Sequence, residues 1–134
     1  GDFVLFNEFG RGVFTNNGLG KISHNNSRGK EDLVVVVRKY LGRRIDGPRI
    51  RAQFIRKGET IIMDNIPNGS YYIQTYDGDS WIKNLNPKNR FLRSSSFTDY
   101  KSFPFSVYNN TMRYRYNVPD GDQGDSVNKD DFFN

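Results

Sequence analysis

An all-β domain, built as a single antiparallel β-sandwich, is what this 134-residue sequence predicts, and three observations carry the prediction. The first is the stretch 54–81, where segments rich in Ile, Tyr, Phe and Thr are cut by Lys57-Gly58, Pro67-Asn68-Gly69 and Asp77-Gly78-Asp79. Branched and aromatic side chains pack well on a pleated surface. Pro presets φ for a turn, and Asn and Gly accept the positive φ that reverses a chain. The second is alternation: Met112-Arg113-Tyr114-Arg115-Tyr116-Asn117-Val118 switches between apolar and polar at each step, the period of a half-buried strand. The third is a scarcity of Leu and Ala with no helical period anywhere, which disfavours helices.

Taken in order, residues 2–30 mix Phe3, Phe6, Phe9 and Phe14 with Gly10, Gly12, Gly18 and Gly20. They read as a Phe- and Gly-rich lead-in draped over the sheet, with short strands near 3–6 and 21–23. Asn25-Asn26-Ser27-Arg28-Gly29-Lys30 is a loop by composition. Residues 33–41 make the best central strand, continuously apolar before alternating through Arg38 and Tyr40. A Gly- and Arg-rich turn over 42–48 leads to 49–56. Pairing these two segments as a hairpin places Arg and Lys on a solvated face and at edges, where charge discourages edge-to-edge association. Residues 60–66 and 70–76 form the next predicted hairpin around Pro67-Asn68-Gly69. Trp81-Ile82 continues the sheet or plugs its end, and 84–96 is irregular. Pro104 limits any strand in 97–108 to a short or edge one.

The domain organisation expected is therefore a sandwich over residues 1–118 and an acidic tail over 119–134 that ends in Phe132-Phe133. A chain of this length buries a real core without staples. The absence of Cys removes disulfides and thiolate metal sites, and leaves an extracytoplasmic location open. The longest apolar run, 33–37, is strand length and far short of the roughly 18 residues of a membrane helix. The chain starts at Gly1-Asp2 rather than Met, which is expected of a trimmed or processed product with any signal or anchor upstream.

Charge is unevenly placed. Asp120, Asp122, Asp125, Asp130 and Asp131 against Lys129 give the tail a net −4, and since the whole chain is +5, residues 1–118 carry +9. Arg38, Lys39, Arg43, Arg44, Arg49, Arg51, Arg56 and Lys57 face Asp46 alone within 38–57. A basic body with an acidic tail is the main electrostatic feature.

Catalysis finds little support. His24 is the single histidine, in a Gly/Asn/Ser-rich stretch, and no Gly-x-Ser-x-Gly elbow, Cys nucleophile or His-x-x-x-His pair accompanies it. An exposed loop histidine is the expectation. Asp77 and Asp79 are the obvious carboxylate pair for glycoside chemistry, but Asp-Gly-Asp between strands is first of all a turn. No enzyme and no cofactor are expected. Asp120-Gly121-Asp122-Gln123-Gly124-Asp125 fails as an EF-hand, since Gly124 and Asp125 stand where a ligand and the invariant Gly belong and no Glu closes the loop. Asp120, Asp122 and Asp125 remain weak oxygen ligands for calcium. A tail solvated or folded back onto the basic body is the more economical reading.

Two binding chemistries stay open. The basic stretch interleaved with Tyr40, Phe54, Tyr114 and Tyr116 suits single-stranded nucleic acid, although Arg at every second position is also what a solvent face looks like. Tyr71, Tyr72, Tyr76 and Trp81 suit carbohydrate stacking, and equally the core and rim of the sandwich.

Ile66-Pro67-Asn68-Gly69-Ser70-Tyr71 resembles the Pro-x-Gly-x-Tyr turn of transthyretin-like (prealbumin-like) and carboxypeptidase-regulatory-like sandwiches. The order Phe54-Ile55-Arg56-Lys57-Gly58, then the Pro67 turn, then Tyr76-Asp77-Gly78-Asp79-Ser80-Trp81 resembles a set of uncharacterised bacterial domains over residues 33–82. Those carry an Ile-Arg-x-Gly, Ile-Pro-Asn-Gly-x-Tyr, Gly-x-x-Trp series and often end in an acidic-aromatic cap like Asp131-Phe132-Phe133. After Trp81 this chain departs, having Phe91-Leu92-Arg93-Ser94-Ser95-Ser96-Phe97 where the family has a Gly-Gly-Phe-type strand. The resemblance implies a prealbumin-like fold and an envelope or surface location, with a cytoplasmic one left open. It implies no reaction.

The expected function is a non-catalytic interaction or accessory module of a bacterial envelope or surface protein. It binds a protein or anionic polymer through a basic sheet surface, with Arg38, Lys39, Arg43, Arg44, Arg49, Arg51, Tyr76 and Trp81 as candidate contacts. An exposed sheet edge offers strand addition as a second mode. A carbohydrate module using exposed Tyr and Trp, or single-stranded nucleic-acid binding, is the alternative. Ligand identity and oligomeric state are not legible.

Overall fold

The computed structural model describes residues 18–42, 46–81, 91–101, 103–116, 125–127 and 132, with backbone alone at 46, 79–81, 91–96 and 125. The elements among them are all strands: β1 (Gly20–Asn25), β2 (Asp32–Tyr40), β3 (Asp46–Ile55), β4 (Thr60–Ile66), β5 (Gly69–Trp81), β6 (Phe91–Asp99), β7 (Phe105–Val107), β8 (Thr111–Arg115) and β9 (Asp125–Ser126). They form two sheets. The large one runs β3-β2-β5-β6-β9, with β7 also against β5, and the small one runs β4-β1-β8. All pairs are antiparallel except β1 with β8. Among the described residues no helix is long and apolar enough to cross a membrane.

β2 sits at the centre of the large sheet because Leu33 to Val37 is apolar on both faces. Leu33, Val35 and Val37 meet Ile55, Tyr71, Ile73, Phe105 and Val107 on one side, and there they pack on Ile22, Ile61, Met63 and Ile66 of the small sheet. Val34 and Val36 turn the other way and join Ala52, Phe54, Tyr76 and Phe132, with Phe97 and Val127 against them. The large sheet is thus covered on both faces. β9 pairs with the end of β6, and Phe132 is fully buried on the far face, so this part of the C-terminal segment is folded back onto the body.

Three expectations are corrected. Residues 60–66 and 70–76 are not a hairpin: β4 pairs with β1, whereas β5 pairs with β2, β6 and β7 in the other sheet. The reason is facial chemistry. β4 alternates buried and exposed and needs a sheet with one wet face, while Tyr71 to Tyr76 of β5 is buried at every position and needs a sheet covered twice. Pro67 has no N–H to extend a ladder, and the Tyr71 hydroxyl donates to the Pro67 carbonyl at 2.6 Å, pinning the crossing as a tyrosine corner does. Asp77-Gly78-Asp79 is no turn either. β5 runs through it to Trp81 with only a register shift between Asp77 and Asp79. Finally, β6 occupies 91–99, part of what the loop-forming composition of 84–96 marked as irregular. Pairing with β5 supplies the order there.

Register shifts redirect the chain in both sheets. In β3, Arg51 lies opposite Val37 but Arg49 lies opposite Arg38, so one extra residue intervenes. Arg49 and Arg51, two apart, therefore serve opposite faces of the sheet. In β4 the register slips between Gly20 and Ile22 of its partner, and Asn65 takes φ +55° there.

Candidate functional site

The small sheet keeps one face in water, and the register fixes which side chains share it. β1 lies between β4 and β8, with Lys21 opposite Thr111, Ser23 opposite Arg113 and Asn25 opposite Arg115. Ile22, His24, Met112 and Tyr114 point to the core, so Lys21, Arg113 and Arg115 form a cationic group on the outer face, all three exposed. Alternate residues of a strand are about 6.8 Å apart and neighbouring strands about 4.8 Å, so this is a compact group. β1 and β8 add no carboxylate to that face. β4 adds Thr60, Ile62 and, at one end, Asp64.

Beyond the strand ends the face continues into a pocket of about 180 Å³ lined by Asn25, Ser27, Arg28, Arg115 and Tyr116. Its rim is locally organised. The Tyr116 N–H donates to the Asn25 carbonyl at 3.0 Å, and the Ser27 N–H donates to Asn25 Oδ1 at 2.9 Å. Behind Ser27-Arg28, Asn26 is fully buried. Its Nδ2 donates to the carbonyls of Glu31 at 3.0 Å and Arg56 at 3.3 Å, while its own carbonyl accepts from Gly29 and Gly58. A side chain on Gly29 would collide with the Asn26 amide. At Gly58, φ +84° turns the neighbouring β3–β4 connection.

Tyr116 also faces inward. His24 Nδ1 lies 2.6 Å from the Tyr116 hydroxyl and His24 Nε2 lies 3.2 Å from Met63 Sδ. A neutral imidazole protonated on Nε2 satisfies both contacts: Tyr116 donates to Nδ1 and Nε2–H donates to sulfur. Burial alone pulls the His24 pKa from 6.5 down to about 3, and burial pushes the Tyr116 phenol well above its ordinary value, with Tyr100 and Tyr114 adding to the rise. The expected exposed loop histidine is thus a core residue at 0% exposure. The signal was present in Ile22-Ser23-His24, where alternation puts His24 on the face of Ile22.

Three arginines of the basic stretch 38–57 are corrected in the same way, while Lys39, Arg56 and Lys57 are exposed as expected. Arg38, Arg49 and Arg51 are 4%, 3% and 6% exposed, not on a solvated face. Arg38 Nη1 donates to the Gly47 carbonyl at 3.3 Å and Arg49 Nη2 to the Phe132 carbonyl at 2.9 Å. Arg51 Nη1 donates to the Ile50 carbonyl at 2.9 Å, and its Nη2 reaches across to Asp64 and Asn65 of β4 at 3.4 and 3.1 Å. Burial lowers the Arg51 pKa, offset by the opposite charges of Tyr71 and Asp64 when ionised. Each guanidinium occupies main-chain carbonyls: Arg38 within its own sheet, Arg49 and Arg51 on the segments packed against it. Lys39 is exposed, and Arg43 and Arg44 lie outside the described residues.

Of the aromatic candidates, Tyr71, Tyr72 and Tyr76 are fully buried. Tyr76 stacks on Phe97 at 4.8 Å between centroids and meets Phe132 edge-on at 5.9 Å. Phe54 and Tyr116 are buried, and Tyr40 and Tyr114 are half-buried, the latter packed inward. Trp81 is placed by its backbone, which ends β5 opposite Phe91. Asp120 and Asp122 lie outside the described residues, and Asp125 is placed by its backbone in β9. Among the described residues no group of three His, Asp or Glu could hold a metal ion. No family model, curated protein or solved structure matches this chain.

Proposed function

We propose that this chain is a non-catalytic binding module for an anionic polymer, engaged by the outer face of the small sheet. The observation that carries the reading is the exposed group Lys21, Arg113 and Arg115 on two adjacent strands that add no carboxylate to their shared face. The proposed basic surface is that of β1 and β8, in place of the expected one on β2 and β3. A polymer is favoured over a protein partner because this face offers a group of cations and the apolar Ile62 in place of a cluster of aromatic anchors. It is favoured over base-reading of single strands because Tyr114 and Tyr116 turn inward, leaving charge without a stacking platform. The non-catalytic part rests on His24, whose two ring nitrogens are both engaged inside the core. We further assign the two sheets to a β-sandwich of the prealbumin kind, a reading supported by the shared core and by the Tyr71–Pro67 corner.

The test is affinity for inorganic polyphosphate and for heparin across a salt series. Binding weakens steeply with salt, and Lys21→Gln with Arg113→Gln lowers the slope of log K against log salt by about 2, one for each cation removed. Lys39→Gln, which removes one cation from the other sheet, leaves it alone. Salt-independent binding, or a slope untouched by the double variant, overturns the reading.

A further inference from the structure

The pocket at the end of the basic face differs from the face itself, and its chemistry is specific enough to name a ligand class. Two arginines, Arg28 from the β1–β2 loop and Arg115 from the end of β8, line one cavity together with Ser27. Asn25 Oδ1 is occupied by the Ser27 N–H, which leaves the Asn25 NH₂ as donor. The Tyr116 hydroxyl is spent on His24. Among the described residues no carboxylate lines the cavity. The side chains there are therefore dominated by donors, two of them permanently cationic, which is the complement of an oxyanion.

Size narrows the class. The cavity volume is about 180 Å³. Sites that enclose whole drug-sized molecules start near 300 Å³. This one suits a single end group, with the rest of any larger ligand extending out along its open side. The site is also preorganised, because the loop that carries Arg28 is held from behind by the buried Asn26 amide.

We propose that this pocket binds one tetrahedral oxyanion, a phosphate or sulfate ester, as the terminal group of a polymer lying along the Lys21–Arg113–Arg115 face. The second half of that statement rests on the polymer-binding role of the small sheet; the oxyanion site stands without it. Fork-shaped guanidinium donors match such a group at two edges at once, which a monodentate lysine site does not do. Arg115 belongs to both the face and the pocket, and so sets the register in which a bound chain ends.

The experiment is a titration of the full chain with inorganic phosphate, inorganic sulfate and acetate, read by backbone amide chemical shifts. Phosphate or sulfate shifts the amides of Ser27, Arg28 and Arg115 saturably, and the tighter of the two identifies the ester. Arg28→Gln weakens that binding about tenfold, the loss of one charge-assisted contact, while Lys39→Gln leaves it unchanged. The amide spectrum of Arg28→Gln away from the loop, matching the parent, shows that the fold is intact. Absence of saturation, acetate binding as tightly as phosphate and sulfate, or an Arg28→Gln variant that binds like the parent overturns the site. Polyphosphate separates the two ideas. Salt-dependent polymer binding that Arg28→Gln leaves untouched removes the pocket and keeps the face. Polyphosphate held no tighter than inorganic phosphate removes the face and keeps the pocket.

Discussion

The arginines of the large sheet and those of the small sheet have the same chemistry and opposite fates. Arg38, Arg49 and Arg51 lie on a sheet whose two faces are both covered, and their guanidinium groups hold main-chain carbonyls, of β3 for Arg38 and of the packed Phe132 and β4 for the other two. Arg113 and Arg115 lie on a sheet covered once, and their charges stay in water. A run of basic residues is thus no evidence of a binding face until the layer above it is known. Desolvation is the physical divide: a buried guanidinium is tolerated only where carbonyls replace its water, and an exposed one keeps its charge available to a ligand.

The contrast breaks most easily at the cover. Phe132→Ala removes the aromatic that packs edge-on against both Tyr76 and Phe97, and is expected to cost about 3 kcal/mol in urea unfolding. A variant as stable as the parent would falsify the assignment of this segment to the core. Next in size, Arg51→Met severs the tie between β3 and β4 and costs about 2 kcal/mol, leaving the β4 carbonyls short of a donor. Arg113→Gln, its exposed counterpart, stays within about 0.5 kcal/mol of the parent. Equal effects from the two substitutions would erase the distinction between the sheets.

Acid separates the roofed interior from the wet face with a definite sign. His24 is neutral in the folded protein down to about pH 3, whereas the unfolded chain takes up its proton near pH 6.5. Between those values the unfolded state binds more protons, so stability falls as pH falls. From pH 7 to pH 5 the loss is about 2 kcal/mol, and His24→Gln removes most of it. Parallel declines in parent and variant over that window would place the titration elsewhere.

Much of the local structure is written in the residues. The two-sided apolar run 33–37 demanded a central strand, and the alternation through Met112, Tyr114 and Tyr116 already turned Arg113 and Arg115 outward. The same alternation in Ile22-Ser23-His24 was masked by the loop-like composition around it. The pocket was not legible, because it joins Arg28 to Arg115 through a parallel pairing of β1 with a strand 90 residues later. Asn26 likewise read as one more loop residue, although its amide knits two connections together.

By itself the sequence determined the class of structure, the places where strands start and stop near Pro67 and Pro104, and which side chains share a face within one strand. Those are consequences of backbone sterics and of the two-residue period, which act over a few neighbours. Only the tertiary structure decided which face of which strand is roofed, and so whether a given charge is a clamp or a contact. That depends on which strands meet across the core, and on β3 carrying one extra residue that sends Arg49 and Arg51 to opposite sides.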